Sequence, residues 1–298
     1  MITSIKWRNS LIAYTLLARP MVLIGIVLVY TVGSLIARAL GTAYDFTAFG
    51  VGLAALLLVS IGVDYANEYA DVETDALTHR TLWSGGSGVL PQGSVPQHRV
   101  LFIARLLIGL GLLTGLLATL SEILNAASLL LLIIGAVGGW VYSMPPLALA
   151  WHGWGELTNA VLGGLVLPLY GYTVQTATLT ADVTLACLPF VCFIFLNMLA
   201  TTWPDRHADA QVGKRTLATR WSAKHLRLLY IFAAILSYAI LAALNSTLPR
   251  EVLIASVPAI PLIVWAARGY TRGASPIATV IAMSTLLTLQ MAAWFIVG

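Results

Sequence analysis

Apolar residues arrive in nine long runs separated by polar breaks, at about 15–38, 47–70, 99–120, 124–142, 156–175, 183–203, 225–245, 251–268 and 276–297. Each run is close to the roughly 20 residues a helix needs to cross a bilayer at about 1.5 Å rise per residue. The pattern predicts an all-α integral membrane chain of nine transmembrane helices, a single domain over 1–298 with no interdomain linker. Pro20 stands near the start of the first run, where the first helical turn needs no donor. Pro168 in the fifth run, and Pro258 with Pro261 in the eighth, are expected to kink or break their helices. The pairs Gly138-Gly139 and Gly163-Gly164 suit close helix packing in lipid. The breaks are uneven. Those at Ala39 to Phe46, Ser121 to Glu122, Thr176 to Asp182 and Ser246 to Arg250 are short, whereas 71–98 and 204–224 are long and rich in acids and cations. Long loops in an otherwise economical chain are commonly functional.

Composition sharpens this picture. Charged residues make up 9% of the chain and hydrophobic ones 59%, against about 25% charged in soluble domains. An ordinary soluble protein is excluded on that ground. Met1 to Arg8 is polar and basic, with no small-residue cleavage site evident, so the first run is expected to be a true span. Cys187 and Cys192 lie five apart in one apolar run, on different helix faces, and read as small core residues.

The cations set an orientation. With the N-terminus in the cytoplasm, fourteen of the 16 Lys and Arg, from Lys6 and Arg8 to Arg268 and Arg272, lie on or near that side. Only Arg38 and Arg250 fall on the other. The bias predicts a cytoplasmic N-terminus and cytoplasmic acidic loops, in the inner membrane of a prokaryotic cell. The net charge of +4 therefore describes a membrane-anchored face. No basic stripe with interleaved aromatics points to nucleic acid as a partner.

The chemistry concentrates in the two long loops. The first motif reads Asn67-x-x-x-Asp71-x-x-x-Asp75, followed by Arg80 and by Ser84-Gly85-Gly86-Ser87-Gly88. At about 100° per residue, Asp64, Asn67, Glu68, Asp71 and Asp75 share one helical arc, so their mutual repulsion calls for a cation there. Mg²⁺ takes oxygen ligands and commonly shares a few carboxylates with substrate phosphates. The alternatives are a solvated acidic helix end, or an EF-hand loop, which lacks its sixth-position glycine and twelfth-position Glu. The second motif reads Asp205-Arg206-His207-Ala208-Asp209 and continues to Gly213-Lys214-Arg215-Thr216. Lys214 and Arg215 are either a topology anchor or, beside an acidic pair, cations for a diphosphate. His207 reads as a polar loop residue.

The two motifs, their order and their helical setting resemble the UbiA superfamily of intramembrane prenyltransferases. The resemblance runs from Arg19-Pro20 through both motifs and the Tyr142-Ser143 and Pro145-Pro146 segment to Leu217. It implies a UbiA-type prenyltransferase fold of nine helices around a central cavity, with Mg²⁺ bridging the aspartates to a prenyl diphosphate. Asp71, Asp75, Asp205 and Asp209 are then catalytic and, with Asn67, metal ligands. Arg80, Lys214 and Arg215 bind the diphosphate. Tyr142, Ser143, Glu156 and Tyr172 flank the aromatic acceptor or the allylic cation, with Trp140 and Tyr170 as further aromatic candidates. Each aromatic has interfacial-belt membership as its alternative. Glu156 has a place at a helix N-terminus as its own. Asp45, Glu122, Asp182 and Glu251 read as solvated groups of the outer loops.

Gly85-Gly86-Ser87-Gly88-Val89-Leu90, the stretch from Tyr142 to Glu156, and Tyr172-Thr173-Val174-Gln175-Thr176 are most similar to the branch that prenylates 1,4-dihydroxy-2-naphthoate for menaquinone. The four-residue spacing of Asp71 and Asp75 is instead more like the 4-hydroxybenzoate branch. Thr201 stands where an asparagine would complete a second Asn-x-x-x-Asp. A terpene synthase or cyclase of the same superfamily is a further alternative. An ion-coupled transporter fits poorly, since its acids belong near the bilayer midplane and these lie at helix ends.

Overall fold

The structure, a computed structural model, describes residues 11–81 and 84–298. Lys6 and Arg8, with the rest of the basic N-terminal stretch, lie outside the described residues. In order the chain forms α1 (Pro20–Ala39), α2 (Phe46–Ala70), the short α3 (Val72–Leu77), α4 (Gln97–Leu120), α5 (Ala126–Ser143), α6 (Gly155–Val161) and α7 (Leu167–Gln175). Then come α8 (Ala181–Thr202), the short α9 (Arg206–Gln211) and α10 (Leu217–Arg220), α11 (Ala223–Ala243), α12 (Arg250–Ser256), α13 (Ala259–Gly269) and α14 (Ile277–Val297). Helices α6 with α7, and α12 with α13, each make one crossing. Among the described residues this leaves nine segments long and apolar enough to span a membrane, as the hydrophobic pattern requires.

The irregularities have local causes. The first run does not start a continuous helix at residue 15. Residues 11–17 are helical, Arg19 turns left-handed at φ 44°, ψ 67°, and α1 starts at Pro20. Proline disfavours helical backbone in the residue before it. The fifth span widens into a π-helical turn over Leu162–Val166, just before Pro168. Pro168 has no N–H to return to the preceding turn, and the wider turn absorbs the misfit. The eighth span breaks between Ser256 and Ala259, with Pro258 capping the second piece.

The spans pack mainly through small residues. A Cβ added to Gly33 of α1 would lie 2.0 Å from the Pro168 carbonyl oxygen, and one on Gly164 would lie 2.5 Å from the Val191 Cα. Helix α2 packs on α4 and α5, α1 on α7, and α14 returns against α1, so the last span lies beside the first. Helix α4 turns Phe102, Leu106, Leu110, Leu113 and Leu117 outward, an apolar face suited to lipid. A smaller apolar cluster joins Leu17, Tyr65, Val89, Leu90, Val95 and Val100, fixing the segment after α3 against the end of α2. Both acidic motifs lie at that end. The opposite end is marked by Asp45 and Asn125, whose side chains cap α2 and α5.

Candidate active site

Helical hydrogen bonding continues across the break between α2 and α3. The Asp71 N–H donates to the Asn67 carbonyl at 2.9 Å and the Asp75 N–H to that of Asp71 at 2.8 Å. Asn67, Asp71 and Asp75 therefore stand on successive turns. The Asn67 amide nitrogen donates to Asp71 Oδ2 at 3.0 Å and to Ser143 Oγ at 3.2 Å. Read from sequence as an oxygen ligand, Asn67 here orients Asp71 with its nitrogen and ties it to α5.

The second motif arrives on α9. Lys214, on the turn after it, donates its backbone N–H to the Asp209 carbonyl at 2.9 Å. Its Nζ lies 2.8 Å from Asp71 Oδ1, 3.8 Å from Asp209 Oδ1, and 5.5 Å from the centre of the Trp151 ring. Lys214 is thus buried between the motifs rather than standing out toward an incoming anion. Arg215 and Arg80 are exposed, with no ion pair among the described residues. The Arg215 N–H donates to the Trp151 carbonyl at 2.9 Å, and the Arg80 guanidinium lies against Gly88.

The glycine-rich segment joins the two motifs. The Ser87 N–H donates to Glu68 Oε1 at 2.8 Å, and the Ser87 hydroxyl to Oε2 at 2.5 Å. The Arg19 Nε donates to Glu68 Oε1 at 2.7 Å, and the Gly85 N–H to Asp205 Oδ2 at 3.3 Å. Gly86, at φ 59°, passes so near Asp75 that a Cβ would sit 1.9 Å from its Oδ2. This revises the expectation of an acidic face waiting for a metal alone, because Arg19 and Lys214 already neutralise Glu68 and Asp71. A one-dimensional reading passes over Arg19, Ser87 and Trp151 as partners. The only signals for them are the unusual glycine pair and the four-residue repeat that includes Glu68.

Electrostatics distinguish the remaining acids. Burial pushes Asp75 up to about 8, with Arg19 pulling the other way. Burial likewise raises Asp209 to about 7 against the pull of Lys214, and Asp205 to about 6 against the Gly85 N–H. Burial disfavours the charge on Lys214, but Asp71 and Asp209 outweigh it and hold its pKa above the usual range. One buried oxygen each of Asp75 (Oδ2), Asp205 (Oδ1) and Asp209 (Oδ1) has no hydrogen-bond partner. Buried carboxylate oxygens without donors are costly unless a cation or a proton meets them. These hard, anionic donors fit Mg²⁺. Among the described residues no three His, Cys, Asp or Glu side chains converge on one point. Mg²⁺ commonly needs only one or two carboxylates when substrate oxygens and water complete its shell.

The candidate acceptor residues divide. Glu156, buried at the start of α6, accepts from the Leu217 N–H at 2.8 Å through Oε1, and its Oε2 is unpartnered. Tyr142 and Ser143 end α5 beside this group, and the Tyr142 ring touches Gly155. Tyr172 is elsewhere. The next residue, Thr173, accepts from the Asn125 side chain at 2.5 Å, and Asn125 caps the far end of α5. An 18-residue helix separates that end from Ser143 by roughly 27 Å. Tyr172 therefore does not belong with the acids, and neither does Tyr170, whose hydroxyl donates to the Gly52 carbonyl at 2.9 Å. The Thr201 hydroxyl donates back to the Asn197 carbonyl at 3.0 Å and does not extend the second motif.

Nine candidate spans among the described residues, with both acidic motifs at one end, define a multi-pass integral membrane protein. Residues 26–286 match the UbiA prenyltransferase family, and the chain belongs to it as a family enzyme. A curated relative, the 1,4-dihydroxy-2-naphthoate octaprenyltransferase of Bacillus subtilis (strain 168), is 27% identical over 177 residues, 58% of this chain. The match spans 55%, about half, of that relative's length. The UbiA homolog of Archaeoglobus fulgidus bound to DMAPP and Mg²⁺ superposes with a TM-score of 0.71 at 17% identity, covering 95% of this chain and 98% of that one. The apo UbiA homolog of Aeropyrum pernix K1 gives 0.66 at 16% identity, over 93% and 95%. At these identities the solved structures speak for the fold.

Proposed function

We propose that this enzyme transfers a polyprenyl group from a prenyl diphosphate to an aromatic acceptor of quinone biosynthesis, with 1,4-dihydroxy-2-naphthoate as the acceptor and Mg²⁺ as the metal. The single observation that carries the reading is the set of buried oxygens on Asp75, Asp205 and Asp209 that accept no hydrogen bond. It is what a polyanion arriving with a divalent cation needs. The Archaeoglobus homolog holds DMAPP with Mg²⁺, and the Bacillus relative carries the naphthoate activity in its name. We propose further that residues 1–298 form one domain and that the acidic end is cytoplasmic, on the strength of the cation bias.

In this reading Asp71, Asp75, Asp205 and Asp209 would hold Mg²⁺, no more than two of them to one ion, with Asn67 orienting Asp71. Bound Mg²⁺ neutralises charge that builds on the departing diphosphate. Lys214 holds the two motifs together by pairing with Asp71 and Asp209. Arg80 and Arg215, both exposed, are free to close on its outer oxygens. The free Oε2 of Glu156 accepts a hydrogen bond from the acceptor hydroxyl, and the Tyr142 ring faces the allylic carbon. The electron-rich ring carbon attacks as the carbon–oxygen bond to diphosphate breaks. Its proton, or carbon dioxide from a naphthoate, then leaves.

The test supplies purified protein in detergent with Mg²⁺ and geranylgeranyl diphosphate, plus 1,4-dihydroxy-2-naphthoate, 4-hydroxybenzoate or no acceptor. A prenylated naphthalene product lacking the carboxylate is expected. Prenylated 4-hydroxybenzoate alone would move the enzyme to the other branch, and a hydrocarbon product without acceptor would make it a terpene synthase. No Mg²⁺-dependent consumption of donors of several lengths would end the proposal.

A further inference from the structure

We infer that Glu68 is a positioning residue that fastens the segment 84–88 against the two acidic motifs and so keeps water from the prenyl group during transfer. The inference rests on the prenyl-transfer reading above. In sequence Glu68 is one of several like charges on the helical arc, one residue past Asn67. The geometry assigns it otherwise. Its side chain is fully buried, and both oxygens are engaged by donors from two other parts of the chain, Arg19 and Ser87. Asp75, Asp205 and Asp209 each keep an unpartnered oxygen, whereas Glu68 keeps none. Arg19 balances the buried charge, and it does so from a left-handed backbone, a conformation that L residues avoid unless their surroundings enforce it.

From that anchor three successive residues of the segment meet three different acids. Ser87 binds Glu68, Gly86 packs on Asp75, and Gly85 donates to Asp205. Behind them Val89 and Leu90 are buried in the apolar cluster with Tyr65 and Leu17, so the segment is held on both sides. Ser84, Gly85 and Ser87 are themselves buried, so the carboxylates are met by buried backbone rather than by an exposed loop. The consequence is chemical. When the carbon–oxygen bond breaks, the electron pair leaves on diphosphate, and the allylic carbon takes whichever nucleophile is present. Attack by the acceptor ring gives the prenylated product. Attack by water forms a carbon–oxygen bond, releases a proton to solvent and yields the prenyl alcohol. Excluding water favours the first outcome.

The experiment uses the full chain in detergent with Mg²⁺, geranylgeranyl diphosphate and the aromatic acceptor that wild type accepts, comparing wild type, Glu68→Gln and Ser87→Ala. Ser87→Ala leaves the Arg19–Glu68 pair in place and carries the test should Glu68→Gln fail to fold. The ratio of prenyl alcohol to prenylated product is expected to rise roughly tenfold, the worth of one hydrogen bond to a charged group. The KM for Mg²⁺ is expected to stay unchanged. Parallel loss of both products at a constant ratio, or a raised KM for Mg²⁺ at a constant ratio, overturns the assignment. Amide hydrogen exchange over residues 84–88 reads the fastening without turnover, so it separates failure here from failure of the prenyl-transfer reading. Faster exchange at Gly85 and Gly86 in Ser87→Ala is expected, and exchange equal to wild type overturns the inference even in an enzyme inactive with every donor.

Discussion

The Nζ of Lys214 lies 2.8 Å from Oδ1 of Asp71, across 143 residues of sequence. Each motif therefore supplies part of the other's charge balance, and neither half of the site is complete alone. Removing one member of a buried ion pair leaves the other uncompensated, at a cost of about 3–5 kcal/mol. Lys214→Met is expected to lower the unfolding temperature in detergent, to abolish turnover, and to regain part of the lost stability on adding Mg²⁺. A wild-type melting temperature for this variant would show that the pair contributes nothing.

Asp71→Ala, Asp75→Ala, Asp205→Ala and Asp209→Ala should each insert normally and lose most turnover, on the order of 10²-fold or more for charge stabilisation of this kind. Asp182, exposed at the start of α8, and Tyr172, on α7 near the Asn125 end of α5, are the controls. Asp182→Ala and Tyr172→Phe should stay near wild type. Full activity in two of the four aspartate variants would remove the metal-diphosphate assignment.

Two glycines with similar φ separate space from strain. Gly86 at φ 59° has Asp75 Oδ2 where its Cβ would be, while Gly93 at φ 67° has nothing within 4 Å. Gly93→Ala should cost only the left-handed penalty of about 1–2 kcal/mol. Gly86→Ala must also push the segment off Asp75 and is expected to reduce Mg²⁺-dependent activity far more. Equal activities, measured beside melting temperatures, would mean that contact with Asp75 is irrelevant.

The raised carboxyl groups predict a pH response. Asp75 at about 8, Asp209 at about 7 and Asp205 at about 6 retain protons that the unfolded chain has already released. The metal-free protein should thus lose stability as pH rises from about 4 to 8, because the folded state binds more protons there. Mg²⁺ needs the deprotonated forms, so the increase in melting temperature it gives should grow over the same window. A constant increment from pH 6 to 8.5 would contradict these shifts.

Much of the site was legible because its spacing is helical. Asn67, Asp71 and Asp75 kept successive turns even though the helix breaks at Asp71, since the i to i−4 hydrogen bonds continue. Tyr172 was misplaced because a helical segment crosses the membrane, and nothing local says which end of it meets the acids. The role of Lys214 was half legible. Its charge beside an acidic pair is visible, but its partner Asp71 lies 143 residues away in the chain. Glu68 was read with its neighbours as one of several like charges, and only the approach of Arg19 and Ser87 distinguishes it.

The sequence by itself determined the nine candidate spans found among the described residues, the breaks near Pro168 and Pro258, and the two acidic stretches. Hydrophobic run length, backbone sterics and helical period are properties of neighbouring residues. Only the tertiary structure decided which carboxylates are already neutralised, which keep an open oxygen, and which loop covers them. Those outcomes depend on desolvation and on contacts between segments far apart in the chain, and both exist only once the helices have packed.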